Sequence, residues 1–232
     1  MQPRGVLALI SDTHLYRAGL PRFFHFLEKA GIERLACLGD CASEPFLHWL
    51  EAAPRRQLYW VHDVFWPDLP AATAHGLSLA LGGRLFLAHT RATALVTYKQ
   101  EIADYKRAPA AGRPPLLVCH GHTHTPSVTR FGPSLNQILY IHSTCRQAGS
   151  RRQELLRLAP DAVYLIVPGA FTYEEGRFAN LNFALLDLDR HWVEMVSIPH
   201  PDALLHLTSL LPGLEAAAGQ RPSGAEAGRP LL

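Results

Sequence analysis

"GVLALISDTH", residues 5–14, decides how the rest of the chain is read. Its first half is an unbroken aliphatic run, the pattern of a strand covered on both faces, and it stops abruptly at Ser11, Asp12, Thr13 and His14. Such a strand belongs to a parallel or mixed sheet packed between other layers, and polar side chains at its carboxyl end belong to the crevice where these sheets bind ligands. Asp12 and His14 stand two residues apart, so in extended chain a carboxylate and an imidazole project to the same side.

The same grammar recurs downstream. "LPRFFHFLEKAG" (20–31) reads as a helix closed by Gly31, "ERLACLGD" (33–40) as a strand ending at Asp40, "SEPFLHWLEAA" (43–53) as a helix with Ser43 as N-cap, and "RQLYWVHD" (56–63) as a third strand. Strands separated by helices imply parallel pairing with right-handed crossovers. "LSLALGGRLFLAHT" (77–90) reads as a hairpin turning at Gly82-Gly83 and ending at His89. "TALVTYKQEIADYKR" (93–107) reads as one helix, and "PPLLVCHG" (114–121) as a buried strand leading to His122 and His124. "SVTRF", "ILYIHS", "VYLIVPGA", "NFALLDLD" and "WVEMVSI" are closely spaced later strands suited to antiparallel pairing. The expected fold is α/β, a two-sheet mixed β-sandwich flanked by helices, in a single domain over residues 1–211. Residues 212–232, rich in Gly, Ala and Pro, have little to bury and are expected to form a flexible tail.

Bulk properties narrow the function. In 232 residues, 48% hydrophobic and 18% charged composition is that of a globular chain rather than a disordered or fibrous one. A formal charge of +2, with basic residues scattered, points to neither nucleic acid nor membrane. "GVLALI" is too short for the apolar core of a signal peptide, so a soluble, cytoplasmic protein is expected. The four cysteines (Cys37, Cys41, Cys119, Cys145) match no paired zinc spacing and are expected as buried free thiols, with Cys41 and Cys119 close enough to the motifs to line a site.

Six ligand-type residues remain: Asp12, His14, Asp40, His89, His122 and His124, each at a strand end and four of them in pairs two apart. A single histidine among the 13 is more often surface or core; an ordered set is harder to explain as core, because buried ring nitrogens need partners. Carboxylates and imidazoles without thiolate suit Mn, Fe or Zn, and six ligands exceed what one tetrahedral zinc takes, so two divalent metal ions are the economical reading.

In this order the motifs "LISDTHL", "CLGD", "HD" (62–63), "LAHT" and "GHTHTP" resemble the calcineurin-like metallophosphoesterase superfamily, specifically its small bacterial phosphodiesterase branch, over about residues 6–190. The resemblance implies a metal-dependent phosphoesterase, in the first place a phosphodiesterase on a small phosphoester substrate, with a dinuclear centre activating water for in-line attack on phosphorus. Asp12, His14, Asp40 and His124 would hold the first metal, and Asp40 would bridge to a second held by His89 and His122. His62 would stand near the leaving-group oxygen with Asp63 orienting it. His120, two residues before His122, is tempting as a further ligand; the family resemblance implies none there, and a supporting hydrogen bond is expected instead.

The sequence also departs from the family. Val61 falls on the family's metal-ligating asparagine, Val167 replaces the asparagine of its Asn-Pro-Gly segment, and "LAHT" lacks the glycine after the family histidine. Valine has no donor atom, so the resemblance implies a second metal held with one ligand fewer, and a catalytically impaired scaffold on the same fold is the alternative function. Trp60, Phe65 and Trp66 are read as core in preference to a base-stacking wall. His142 and Arg146 are candidates for contacting substrate phosphate, and Lys99, Lys106 and Arg107 are expected on the pocket rim.

Overall fold

The architecture follows from strands that are apolar on both sides. The computed structural model describes residues 5–14, 16–61, 76–81, 83–107, 112–131, 136–141, 152–172 and 181–199. In chain order they form β1 (Val6–Ile10), α1 (Leu20–Lys29), β2 (Arg34–Cys37), α2 (Ser43–Glu51), β3 (Gln57–Trp60), β4 (Gly76–Leu79), β5 (Arg84–Ala88), α3 (Arg91–Thr97), α4 (Lys99–Arg107), β6 (Leu116–His120), β7 (Ser127–Phe131), β8 (Gln137–Ile141), β9 (Arg152–Arg157), β10 (Val163–Val167), β11 (Leu181–Asp187) and β12 (Trp192–Ile198). Two six-stranded mixed sheets result, in the orders β3-β2-β1-β11-β12-β9 and β4-β5-β6-β10-β7-β8. The 212–232 segment lies outside the described residues, as does Cys145.

Strand alternation sorts side chains into three apolar layers. Ala8, Ile10, Leu35 and Cys37 face α1 and α2, where Leu20, Phe23, Leu27, Phe46 and Trp49 close over them. Leu7, Leu9, Ala36 and Leu38 face inward and meet Leu85, Leu87, Leu117 and Cys119 of the second sheet. On the far side, Phe86, Ala88, Leu116 and Val118 are covered by Ala94, Tyr98 and Tyr105 of the α3–α4 region. Both faces of β1 and β6 are therefore dry, which is why "VLALI" and "LLVCH" carry no alternating pattern. Cys41 and Cys119 sit in this core rather than lining a site.

Four details differ from expectation. The 93–107 helix is two helices, because Tyr98 leaves helical geometry to lay its ring on Phe86, 4.1 Å between centroids and nearly parallel. Gly76 leaves room for that ring's hydroxyl, which a Cβ there would meet at 2.6 Å. Helix α2 begins at Ser43 itself, with Ala42 in the cap position. Strand β10 lies parallel to β6 and antiparallel to β7, so it joins the two halves of the second sheet. Strand β9, "RQELLR", has no clear apolar period; among the described residues it is an edge strand, paired with β12 alone.

Phe23 is the hinge of the α1 contact: fully buried, with ring centroids 5.0 Å from Phe171 and 5.2 Å from Phe183. Phe23→Ala is expected to cost about 3–5 kcal/mol in denaturant unfolding; a loss below about 1 kcal/mol would contradict this packing.

Candidate metal centre

The carboxyl ends of β1, β2, β5 and β6 come together at one edge of the sandwich, and the six ligand-type residues follow them. They fall into two groups, Asp12 with His14 and His124, and Asp40 with His89 and His122; in each group the ligand atoms lie within 4.8 Å of one another. Both groups mix sheets: Asp12, His14 and Asp40 continue the first, and His89, His122 and His124 the second.

The route differs from the extended chain that the spacing of two suggests. Asp12, His14, Asp40, His122 and His124 all have left-handed backbone, with φ of 52°, 47°, 50°, 66° and 59°. Only two other non-glycine residues among those described share it, Asp161 and His191. Left-handed geometry costs an L-residue about 1–2 kcal/mol, and Asp is among the side chains that tolerate it best. The alternation of left-handed and other residues coils the chain across the strand ends and turns both members of each pair inward.

Backbone hydrogen bonds hold these turns. Asp12 N–H donates to the Gly39 carbonyl at 3.0 Å and His14 N–H to the Asp40 carbonyl at 2.8 Å, carrying the β1–β2 pairing past the strands. Across the sandwich, Phe171 N–H donates to the Ser11 carbonyl, and the Ser11 hydroxyl donates to the Gly169 carbonyl at 3.1 Å. Gly39 is required by its neighbours: its φ is +94°, and a Cβ would stand 2.2 Å from His89 Nδ1.

Asp12 is completely buried, and its two carboxylate oxygens accept the His122 N–H at 3.2 and 2.9 Å. Burial by itself would raise its pKa; hydrogen bonds with His124 and Ser11 and the electrostatic influence of His124 and His89 outweigh it and hold the carboxyl below the ordinary 3.8. His89 Nδ1 is 2.7 Å from the Leu38 carbonyl, so that nitrogen carries the proton and Nε2 is left bare, 3.5 Å from Asp40 Oδ2. In the other group, His124 Nε2 is 3.3 Å from both His14 Nε2 and Asp12 Oδ1.

These separations fit divalent cations. Ligands about 2.0–2.2 Å from a shared ion stand about 3.0–3.5 Å apart in octahedral or tetrahedral arrangements, the spacing seen here. Two Nε2 atoms facing each other repel unless a proton or a cation lies between them.

Several expected residues fall elsewhere. Val61 is fully buried in the inter-sheet core with Leu38 and Leu87, its N–H bonded to the Cys37 carbonyl at 2.9 Å, so its side chain faces the core and not the ligand groups. Trp60 is core, as expected. His62, Asp63, Phe65, Trp66, His142 and Arg146 lie outside the described residues. Lys106 and Arg107 stand at the opposite end of the second sheet from the ligands, near where Tyr105 donates to the Pro114 carbonyl; Lys106 lies over Phe131 and Arg107 pairs with Asp104. A cavity of about 410 Å³ at that same far end, lined by Arg84, Tyr105 and Arg113, is remote from the ligands. Arg91, exposed, stands two residues after His89 at the start of α3.

Against known proteins, a family model for the calcineurin-like phosphoesterase superfamily domain matches residues 6–191. No curated protein matches the chain. Among solved structures, a metallophosphoesterase from Sphaerobacter thermophilus is similar over 92% of this chain and 97% of its own, with 17% identity and a TM-score of 0.52. YfcE, a phosphoesterase from E. coli, aligns over 78% and 88% at 18% identity and TM-score 0.46. Vps29 of Entamoeba histolytica complexed with zinc aligns over 82% and 92% at 16% and 0.48. The first of these likenesses shows the same fold.

Two outcomes are expected. Gly39→Ala should strain the loop by about 2 kcal/mol, lowering the melting temperature by about 4–8 °C, and weaken divalent-ion binding; unchanged melting and binding would contradict the contact with His89. For Asp12 in metal-free protein, the unfolded carboxyl takes up its proton near 3.8, before the folded one. The stability it contributes is complete above that pH and lost as pH falls through the lower folded value. Asp12→Asn should therefore flatten the acid limb of the stability–pH curve below about pH 4; an unaltered limb would contradict the assignment.

Proposed function

The chain belongs to the calcineurin-like phosphoesterase superfamily, and from that premise we propose that it is a metal-dependent phosphoric ester hydrolase acting on phosphodiesters. The observation that carries the reading is the pair of ligand groups, one carboxylate and two imidazoles each, brought together from both sheets. Divalent cations held there, Mn, Fe or Zn, supply positive charge that polarises the phosphoryl group and acidifies water.

The protein's own groups prepare that chemistry. Asp40 is grouped by distance with His89 and His122, and by the resemblance it would be the carboxylate shared between the two cations. The Leu38 carbonyl fixes the His89 tautomer so that Nε2 faces the site as a bare acceptor. Asp12 combines a ligand oxygen with two backbone contacts that hold the His122 loop. His62, by the resemblance, donates a proton to the leaving oxygen, and Asp63 orients it. Since Val61 is a core residue, the group of Asp40, His89 and His122 constitutes the second site without it.

A scaffold on the same fold would need the three apolar layers and nothing of this edge. Five ligand residues kept in left-handed backbone, each at a cost of about 1–2 kcal/mol, favour the hydrolase, because strain of this kind persists where function requires it.

Bis-p-nitrophenyl phosphate tests the reading. Turnover should appear with added Mn, vanish with EDTA, exceed turnover of p-nitrophenyl phosphate, and fall by at least about 100-fold in Asp40→Asn, since metal assistance is worth several kcal/mol. A folded, Mn-loaded protein inert towards both esters would reject it, and preference for the monoester would reject the diesterase assignment.

A further inference from the structure

His120 occupies a position whose pattern calls for an aliphatic residue. In β6, Leu116 and Val118 join the layer under α3 and α4, and His120 continues that set opposite Ala88 of β5. It is 1% exposed. Its Nδ1 lies 2.8 Å from the Gly121 carbonyl oxygen, so Nδ1 carries the proton and donates it. That leaves Nε2 bare, buried, and without a partner among the described residues. A stranded buried acceptor costs about 1–3 kcal/mol, which phenylalanine at this position would not incur. Packing alone therefore disfavours histidine here.

The contact it makes accounts for it. The Gly121 carbonyl and the His122 N–H belong to one planar peptide unit. His120 holds its oxygen end, and the Asp12 carboxylate holds its N–H end at 2.9 and 3.2 Å. The preceding amide is fixed as well: Gly121 N–H donates to the His89 carbonyl at 2.9 Å. Gly121 packs so closely that a Cβ would stand 2.8 Å from Asp12 Oδ2 and from Ser11 Cβ. Immediately after this plane, His122 adopts φ 66° and His124 φ 59°. Rotation of the 121–122 plane would relax that geometry and swing both imidazoles out of their groups.

We propose that His120 is a positioning residue for the metal centre: its Nδ1–H and the Asp12 carboxylate clamp the 121–122 peptide from opposite ends, setting the loop that delivers His122 to one ligand group and His124 to the other. The inference rests on the metal-centre reading above.

The test compares wild type with His120→Phe, which keeps a ring of similar size and removes the donor, and with His120→Asn, whose amide N–H can stand where Nδ1–H stood. Mn binding is measured by calorimetry, and melting is followed in EDTA on the same samples. His120→Phe should melt at or above the wild type without metal, yet bind Mn about 10–100-fold more weakly, while His120→Asn should recover most of the affinity. Wild-type affinity in His120→Phe would overturn the inference alone, as would His120→Asn binding no better than His120→Phe. If His120→Phe fails to fold, wild-type-like binding by His120→Asn supports the donor role and weak binding by it overturns that role. Absence of Mn binding by the wild type would overturn the metal centre itself, and this inference with it.

Discussion

One buried carboxylate ties the molecule together. Asp12 ends β1 in the first sheet, is wholly removed from solvent, and accepts the His122 backbone N–H from the loop after β6 in the second sheet. A charge so placed is tolerable only when its lone pairs are used. Here they are used by the opposite sheet and by the imidazole of His124. The sheets' carboxyl ends are thereby held at a separation that lets two carboxylates and four imidazoles meet. The inter-sheet core of Leu7, Leu9, Leu85, Leu87, Leu117 and Cys119 sets the distance between the sheets, and Asp12 sets the alignment of their ends.

The rest of the site follows from ending strands abruptly. β1, β2, β5 and β6 are regular and largely apolar; two or three residues past the ends of β1, β2 and β6 the backbone turns left-handed at Asp12, Asp40 and His122, and past β5 it runs through His89 into the capped start of α3. Gly39 and Gly121 stand at the two places where a Cβ would strike a ligand residue or its support. Stability is supplied by three dry layers, and the polar edge is built against local preference. That division explains how a chain can carry a strained site without losing its fold.

Much of this was legible in the sequence because both signals are local. Continuous apolar runs revealed β1, β6, β10 and β11, and a carboxylate or imidazole just past a run marked each ligand. What was illegible depended on tertiary context. The split at Tyr98 is made by stacking on Phe86, which helical propensity does not anticipate. Strand β9 alternates polar and apolar residues weakly because it lies at an edge. The left-handed turns cannot be read from a spacing of two, which suits extended chain equally well. Position 61, where the resemblance places a metal ligand, is a core position here, a fact that only packing discloses. Lys106 and Arg107, at the end of α4, lie at the far end of the second sheet, next to Tyr105 and its contact with the Pro114 carbonyl.

The central claim is that the two ligand groups each hold one divalent cation. Equilibrium dialysis against Mn, followed by elemental analysis, measures it directly. The account predicts two ions per chain in the wild type, with one lost in His14→Ala and the other in His122→Ala; a folded wild-type protein that retains one ion or none would contradict it.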